Sequence, residues 1–166
     1  MKRMHIHIAV KDLKENVSFY SALFDASPIL LREDYAKWSL DNPAVNFSLS
    51  NRGTNVGINH LGLQVDTQEE LDDIEDRLNT INALSASQLG VSCCYARSDK
   101  HWTVDPQGVP WESFRSLGVL SDTRENDTVA YEAQSACCIP VFDPNSSPVD
   151  SRVDNANGEQ ASPHCC

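Results

Sequence analysis

Apolar and polar residues alternate through His5-Ile6-His7-Ile8-Ala9-Val10 and again through His60-Leu61-Gly62-Leu63-Gln64-Val65, the period-two signature of a strand with one buried face. In each copy the alternation gives way to helical spacing. Leu13, Val17, Tyr20 and Phe24 follow the first strand at intervals of four, three and four, and Leu71, Ile74, Leu78 and Ile81 follow the second at three, four and three. Asp12 with Glu15, and Thr67 with Glu70, put a capping side chain three residues ahead of a carboxylate able to reach back to the cap's own N–H. Each helix therefore lays one apolar stripe on a sheet.

Short strand signals and a second shared phrase follow each helix. Lys37-Trp38-Ser39-Leu40-Asp41 resembles His101-Trp102-Thr103-Val104-Asp105, and Val45-Asn46-Phe47-Ser48 resembles Val109-Pro110-Trp111-Glu112. Both phrases recur 64 positions later, whereas His5 and His60 are 55 apart, so about nine residues have been added to the second copy between helix and Trp. The added stretch contains Ser92-Cys93-Cys94-Tyr95. Each half reads as β-α-β-β-β, with Asp105-Pro106-Gln107-Gly108 as a tight turn and Pro110 at an edge or a strand start. The prediction is an α+β domain over residues 1–118, with modules at about 1–53 and 57–117 packed around one mixed-sheet cleft.

The remaining residues change character. Between Val119 and Cys166, eight acidic side chains face only Arg124 and Arg152, a net of −6 within the chain's total of −11. Few aromatic or periodic apolar residues accompany them, so the composition predicts a disordered acidic appendage. An acidic chain with no Lys/Arg cluster lacks the electrostatic footprint for nucleic acid. No apolar run approaches the roughly 20 residues needed to span a membrane, and the start lacks an export-length apolar segment, which predicts a cytoplasmic protein.

All six cysteines occur as adjacent pairs, Cys93-Cys94, Cys137-Cys138 and Cys165-Cys166. Bonding neighbours to each other would close a strained ring, and neighbouring thiolates suit a soft, thiophilic atom better. His5 and His60 open equivalent strands and should meet on the cleft wall. Glu112 joins them from the last strand, where its counterpart Ser48 carries no carboxylate. His7 shares a strand face with His5, but the repeat selects His5, which matches His60 in its distance to the following Val. Two imidazoles and one carboxylate with open positions suit non-haem Fe(II), although nickel, zinc or manganese fits the same donors.

The motifs HxHIAVxDLxxxVxFYSxLF, NHLGLQV and DPQGVPWESF resemble the vicinal oxygen chelate superfamily, which includes glyoxalase I, extradiol dioxygenases and bleomycin resistance proteins. Within it, CCYARSDKHWTVDPQGVPWE resembles the carbon–arsenic lyases that degrade trivalent organoarsenicals, over residues 1 to about 117. That resemblance implies an Fe(II)- and O2-dependent lyase releasing arsenite, with His5, His60 and Glu112 as metal ligands and Cys93 and Cys94 as arsenic ligands. It also implies that Tyr95 and Lys100 belong to a loop closing over the site, and that the site is completed within one chain or across a homodimer. Cys93 and Cys94 can hold one atom only where the backbone departs from a regular strand, so residues 89–99 are expected to be irregular or mobile. The remaining cysteine pairs either deliver metalloid or are exposed thiols. Competing functions are dithiol sequestration of arsenite or cadmium, and a glyoxalase or dioxygenase acting on a carbon substrate.

Overall fold

The computed structural model describes residues 2–52, 55–119, 139, 140 and 142. Most of the acidic appendage, its four cysteines included, lies outside the described residues. Two βαβββ modules follow one another. The first comprises β1 (Arg3–Ala9), α1 (Leu13–Phe24), β2 (Leu30–Leu31), β3 (Tyr35–Asp41) and β4 (Ala44–Ser50); the second comprises β5 (Gly57–Val65), α2 (Gln68–Thr80), β6 (Ser85–Cys93), β7 (Ala96–Val104) and β8 (Pro110–Val119).

Local chemistry starts both helices. Asp12 accepts a hydrogen bond from the Glu15 N–H at 2.9 Å, and Thr67 accepts one from the Glu70 N–H at 3.2 Å. The Glu70 carboxylate reaches back one residue further than a capping box predicts, accepting from Asp66 N–H at 3.0 Å. The helical stripes then bury as their spacing requires, except at Ile81, which falls at the C-cap of α2 and is exposed. Leu13, Val17, Tyr20 and Phe24 pack on Trp38, Phe47 and Leu49, while Leu71, Ile74 and Leu78 pack on Leu63 and Val65. Trp38 is fully buried, and a side chain of that size contributes roughly 3 kcal/mol by leaving water.

Among the described residues the strands join one sheet in the order β2-β3-β4-β1-β5-β8-β7-β6. β1 is parallel to β4 and β5 is parallel to β8, while β1 and β5 run antiparallel where the modules meet. The order reads the same outward from that central pair, so the modules are related by a pseudo-twofold axis through Ile6 and its partner Leu61. Residues from seven of the eight strands line one cavity on the face away from the helices, so the sheet is curled into a cleft.

Register corrects one correspondence read from the sequence. His7 pairs with Ser48 as Gly62 pairs with Glu112, which upholds both the 55-residue and the 64-residue offsets. Ser48 pairs onward with Lys37, but Glu112 pairs with Trp102, so the equivalent of Lys37 is Trp102 and the two tryptophans are not counterparts. Trp38 faces the α1 core, whereas Trp102 faces the cleft with its ring 5.0 Å from that of His60. The short phrase shared by the repeats concealed a one-residue slip, which in a strand reverses the face.

The extra residues of the second module lengthen a hairpin. β2 has 2 residues and its counterpart β6 has 9. A register shift between Gln88 and Val91 interrupts the β6–β7 pairing and one between Arg97 and Ser98 interrupts the β7–β8 pairing; Gly90, at φ 63, supplies the left-handed residue within the first. Over residues 89–99 the backbone departs from a regular strand at these shifts and at a two-residue turn, as the paired cysteines require. Within the described residues, no helix is long and apolar enough to cross a membrane.

Candidate metal and thiol site

The central antiparallel pair places His5 and His60 one residue either side of the pseudo-dyad, on the cleft face. His5 Nδ1 lies 3.1 Å from the Asn46 carbonyl oxygen. A carbonyl only accepts, so Nδ1 carries the hydrogen and Nε2 is left with its lone pair. His60 Nδ1 donates likewise to Asn59 Oδ1 at 2.7 Å. The two Nε2 atoms end 3.2 Å apart, and Glu112 Oε2 completes a triangle at 3.6 Å from His5 and 3.4 Å from His60.

Three lone-pair atoms therefore converge with no hydrogen among them. The point equidistant from all three lies about 2 Å from each, the bond length of a small divalent cation to nitrogen or oxygen. Burial lowers the His5 pKa to about 4 against the opposing charge of Glu112, so the ring is a neutral ligand at pH 7. Burial pushes the Glu112 carboxyl upward, but the Lys100 ammonium together with His60 and His5 outweighs it and holds the group ionised, below the usual carboxylate range. Lys100 Nζ donates to Glu112 Oε1 at 2.6 Å, leaving Oε2 for the triangle. The donor set fits a divalent metal.

His7 offers a second possibility, since His5, His7 and His60 each have a ring nitrogen within 4.8 Å of the others. That triangle is wider, and His7 Nε2 is engaged by Ser50 Oγ at 2.9 Å. His7 packs edge-on against His60, with ring centroids 4.8 Å apart, and walls the ligand cage. The tighter set is the one containing Glu112.

Cys93 ends β6 and Cys94 begins the turn to β7. Cys94 and Tyr95 both have positive φ, 51° and 65°, the signature of a two-residue type I′ hairpin. This turn overcomes the alternation of strand side chains, because the two sulfurs lie 3.2 Å apart on one side of the backbone. Both sulfurs line the same cavity as His5, His60 and Glu112, and all five residues belong to one chain. Lys100, expected in a closing loop, lies instead within β7, buried against Glu112. Tyr95 sits in the turn, where its hydroxyl donates to Asp34 Oδ1 of the first module at 2.7 Å.

Sequence reasoning passed over Asn59, Asn46, Asp34 and Arg52. Asn59, directly before His60, carried the strongest available signal, a side-chain acceptor next to an imidazole. Nothing in sequence joins Arg52 to Cys94, whose contact depends on the folded sheet.

No family model matches the chain. The trivalent organoarsenical cleaving enzyme of Bacillus sp. (strain MD1) is 34% identical over 171 aligned positions, covering 100% of this chain and 99% of that protein. The chain belongs to the trivalent organoarsenical cleaving enzyme family. A member from Thermomonospora curvata is 31% identical, covering 84% of this chain and 90% of its own length. Cadmium-induced protein CadI of Mycobacterium tuberculosis is 34% identical over 83% of this chain and 93% of its own length. The Bacillus alignment carries the similarity through the acidic appendage, beyond the limit near residue 117 expected from the motifs.

Solved structures of this fold include an extradiol ring-cleaving dioxygenase from B. fuscum, with TM-score 0.54 and 18% identity over 72% of this chain and 34% of that one. The Mn(II)-bound glyoxalase from Novosphingobium aromaticivorans gives TM-score 0.53 and 17% identity over 77% of this chain and 44% of that one. The fold of this family member is the vicinal oxygen chelate fold, as its motifs and its paired modules imply.

Proposed function

We propose that this chain cleaves the carbon–arsenic bond of trivalent organoarsenicals, methyl or aromatic, in an Fe(II)- and O2-dependent reaction that releases arsenite. The observation carrying the proposal is one cavity that unites a three-atom ligand triangle with a vicinal thiol pair. His5 Nε2, His60 Nε2 and Glu112 Oε2 would hold the metal. When bound there, iron supplies the redox chemistry that makes O2 reactive.

The protein's part begins at the thiols. Cys93 and Cys94 each replace one oxygen ligand of R–As(OH)2, forming two As–S bonds, breaking two As–O bonds and releasing two waters that carry away the thiol protons. Their 3.2 Å separation pre-arranges the chelate, so the second exchange is intramolecular. Trp102, Phe114 and Tyr35 provide aromatic walls for the organic group and keep bulk water off the bond to be broken. Lys100 fixes the Glu112 carboxylate by one oxygen, which orients the other. For a methyl substrate the overall change balances as CH3As(OH)2 plus O2 giving As(OH)3 plus formaldehyde. Carbon supplies the four electrons that O2 accepts, and arsenic stays trivalent.

Anaerobic loading with Fe(II), then air and a trivalent methyl or phenyl arsenical, tests the reading through arsenite release and O2 uptake. One arsenite per O2 is expected. Stoichiometric arsenical binding without O2 uptake would make the protein a sequestering dithiol instead.

A further inference from the structure

The turn that presents the thiols is an improbable one for its sequence. Type I′ turns favour Asn-Gly because both central residues take positive φ, yet here they are Cys94 and Tyr95. Each left-handed non-glycine residue costs about 1 kcal/mol, so the surroundings must hold the conformation. Those surroundings belong to the other module. Arg52, just beyond β4, donates from Nε to Asp34 Oδ2 at 2.8 Å and from Nη1 to Cys94 Sγ at 3.7 Å. Its guanidinium also lies 5.2 Å from the centre of the Tyr95 ring, and the Tyr95 hydroxyl donates to the other oxygen of Asp34. Arg52, Asp34, Tyr95 and Cys94 thus form a closed circuit of contacts between the hairpin tip and the first module.

We propose that Arg52, aligned by Asp34, is a positioning residue for the thiol pair: it holds Cys94 Sγ over the cleft and favours its thiolate for arsenic exchange. The inference rests on the reading of Cys93 and Cys94 as arsenic ligands and adds the group that readies them. A guanidinium beside sulfur favours the nucleophilic anion over the thiol. The groups facing Cys94 are Arg52, Tyr35, Lys37 and His7 from the first module and Lys100 and Cys93 from the second. Lys37 and Lys100 line the same cavity, and Arg52 adds a hydrogen bond to this sulfur from outside that lining.

The test uses the full-length, metal-free protein. Iodoacetamide alkylation is followed against pH, with each cysteine resolved by peptide mass spectrometry, in wild type, Arg52→Met, Arg52→Lys and Asp34→Asn. Arg52→Met should move the Cys94 midpoint up by about one pH unit, slowing alkylation at pH 7 roughly tenfold. Arg52→Lys should recover part of that loss, Asp34→Asn should show a smaller shift of the same sign, and phenylarsine oxide should associate more slowly in the same order. If Arg52→Met does not fold, Arg52→Gln carries the same expectation. A folded neutral variant whose Cys94 profile matches wild type overturns the assignment, even if its melting temperature falls. Wild type that fails to capture phenylarsine oxide would instead overturn the arsenic reading, while the alkylation profiles would still decide the role of Arg52.

Discussion

Lys100→Met separates the role of the lysine in folding from its effect on the metal site. Lys100 and Glu112 are both buried and meet at 2.6 Å. Removing one partner of such a pair leaves an uncompensated carboxylate, at a cost of about 3 to 5 kcal/mol. His5 and His60 remain beside Glu112, which favours the lower figure, about 3 kcal/mol, or roughly 10 °C in melting temperature for a domain of this size. With a divalent ion on Oε2 the carboxylate is compensated again, and the loss should shrink to about 1 kcal/mol, the worth of one hydrogen bond. Because the ion binds the folded state, the difference of about 2 kcal/mol must reappear as roughly thirtyfold tighter metal binding by the variant. Thermal melts of wild type and variant, with and without anaerobic Fe(II), together with a direct metal titration, close this cycle.

The pH dependence fixes the sign. The Glu112 value lies below its unfolded 4.5, so its contribution is complete above pH 4.5 and is lost as pH falls through the folded value. The Lys100 value lies above its unfolded 10.5, so its contribution is complete below pH 10.5 and is lost as pH rises through the folded value. The stability gap between wild type and variant should therefore be full at pH 7 and close as pH falls below 4.5. Equal destabilisation with and without metal, or weaker metal binding by the variant, would refute the reasoning.

His5→Ala should abolish Fe(II) binding, whereas His7→Ala should weaken it no more than about tenfold, since His7 packs against a ligand; a metal titration giving the reverse order would install His7 in the ligand set. Gly62→Ala should unfold the protein or cost about 3 kcal/mol, because the added carbon would clash with the Glu112 carbonyl oxygen on the neighbouring strand; thermal melting measures it. Cys93→Ser and Cys94→Ser should retain iron and lose phenylarsine oxide affinity, while Glu112→Gln should lose iron and retain arsenical capture. Metal analysis and arsenical titration on the same samples check that division.

Much of the fold was legible because period-two and period-3.6 signals survive in a single sequence. The strand starting at His5, the stripe from Leu13 to Phe24 and their second copies were set by local alternation and capping, which need no partner strand. The Trp38–Trp102 correspondence failed for a physical reason. A strand's face is fixed by its register with a neighbour, and two similar five-residue phrases say nothing of a one-residue shift. The placement of Lys100 failed similarly, since nearness to the cysteines in sequence gave no sign that β7 carries it toward Glu112. The clamp of Asp34 and Arg52 on the thiol turn was out of reach, because it joins segments from both modules across the cleft.

The departures from symmetry leave one side of the ligand triangle open. Duplication alone brings His5 and His60 together, because the pseudo-dyad runs through the pair beside them. A symmetric fourth donor would come from position 48, but Ser48 Oγ is turned to the Tyr35 hydroxyl at 2.8 Å, so among the described residues position 48 adds no carboxylate to the triangle. The thiol hairpin arrives on the same side, with Tyr95 6.1 Å from Tyr35. The second module thus contributes an acid, Glu112, and a long hairpin, while the first contributes a missing acid and the Arg52 anchor. Restoring symmetry with Ser48→Glu should place a fourth oxygen on the open side. Metal affinity should rise and arsenical turnover should fall, even with both thiols intact. A Ser48→Glu protein that binds iron more tightly and cleaves at the wild-type rate would show that the open side is not the route by which arsenic reaches the metal.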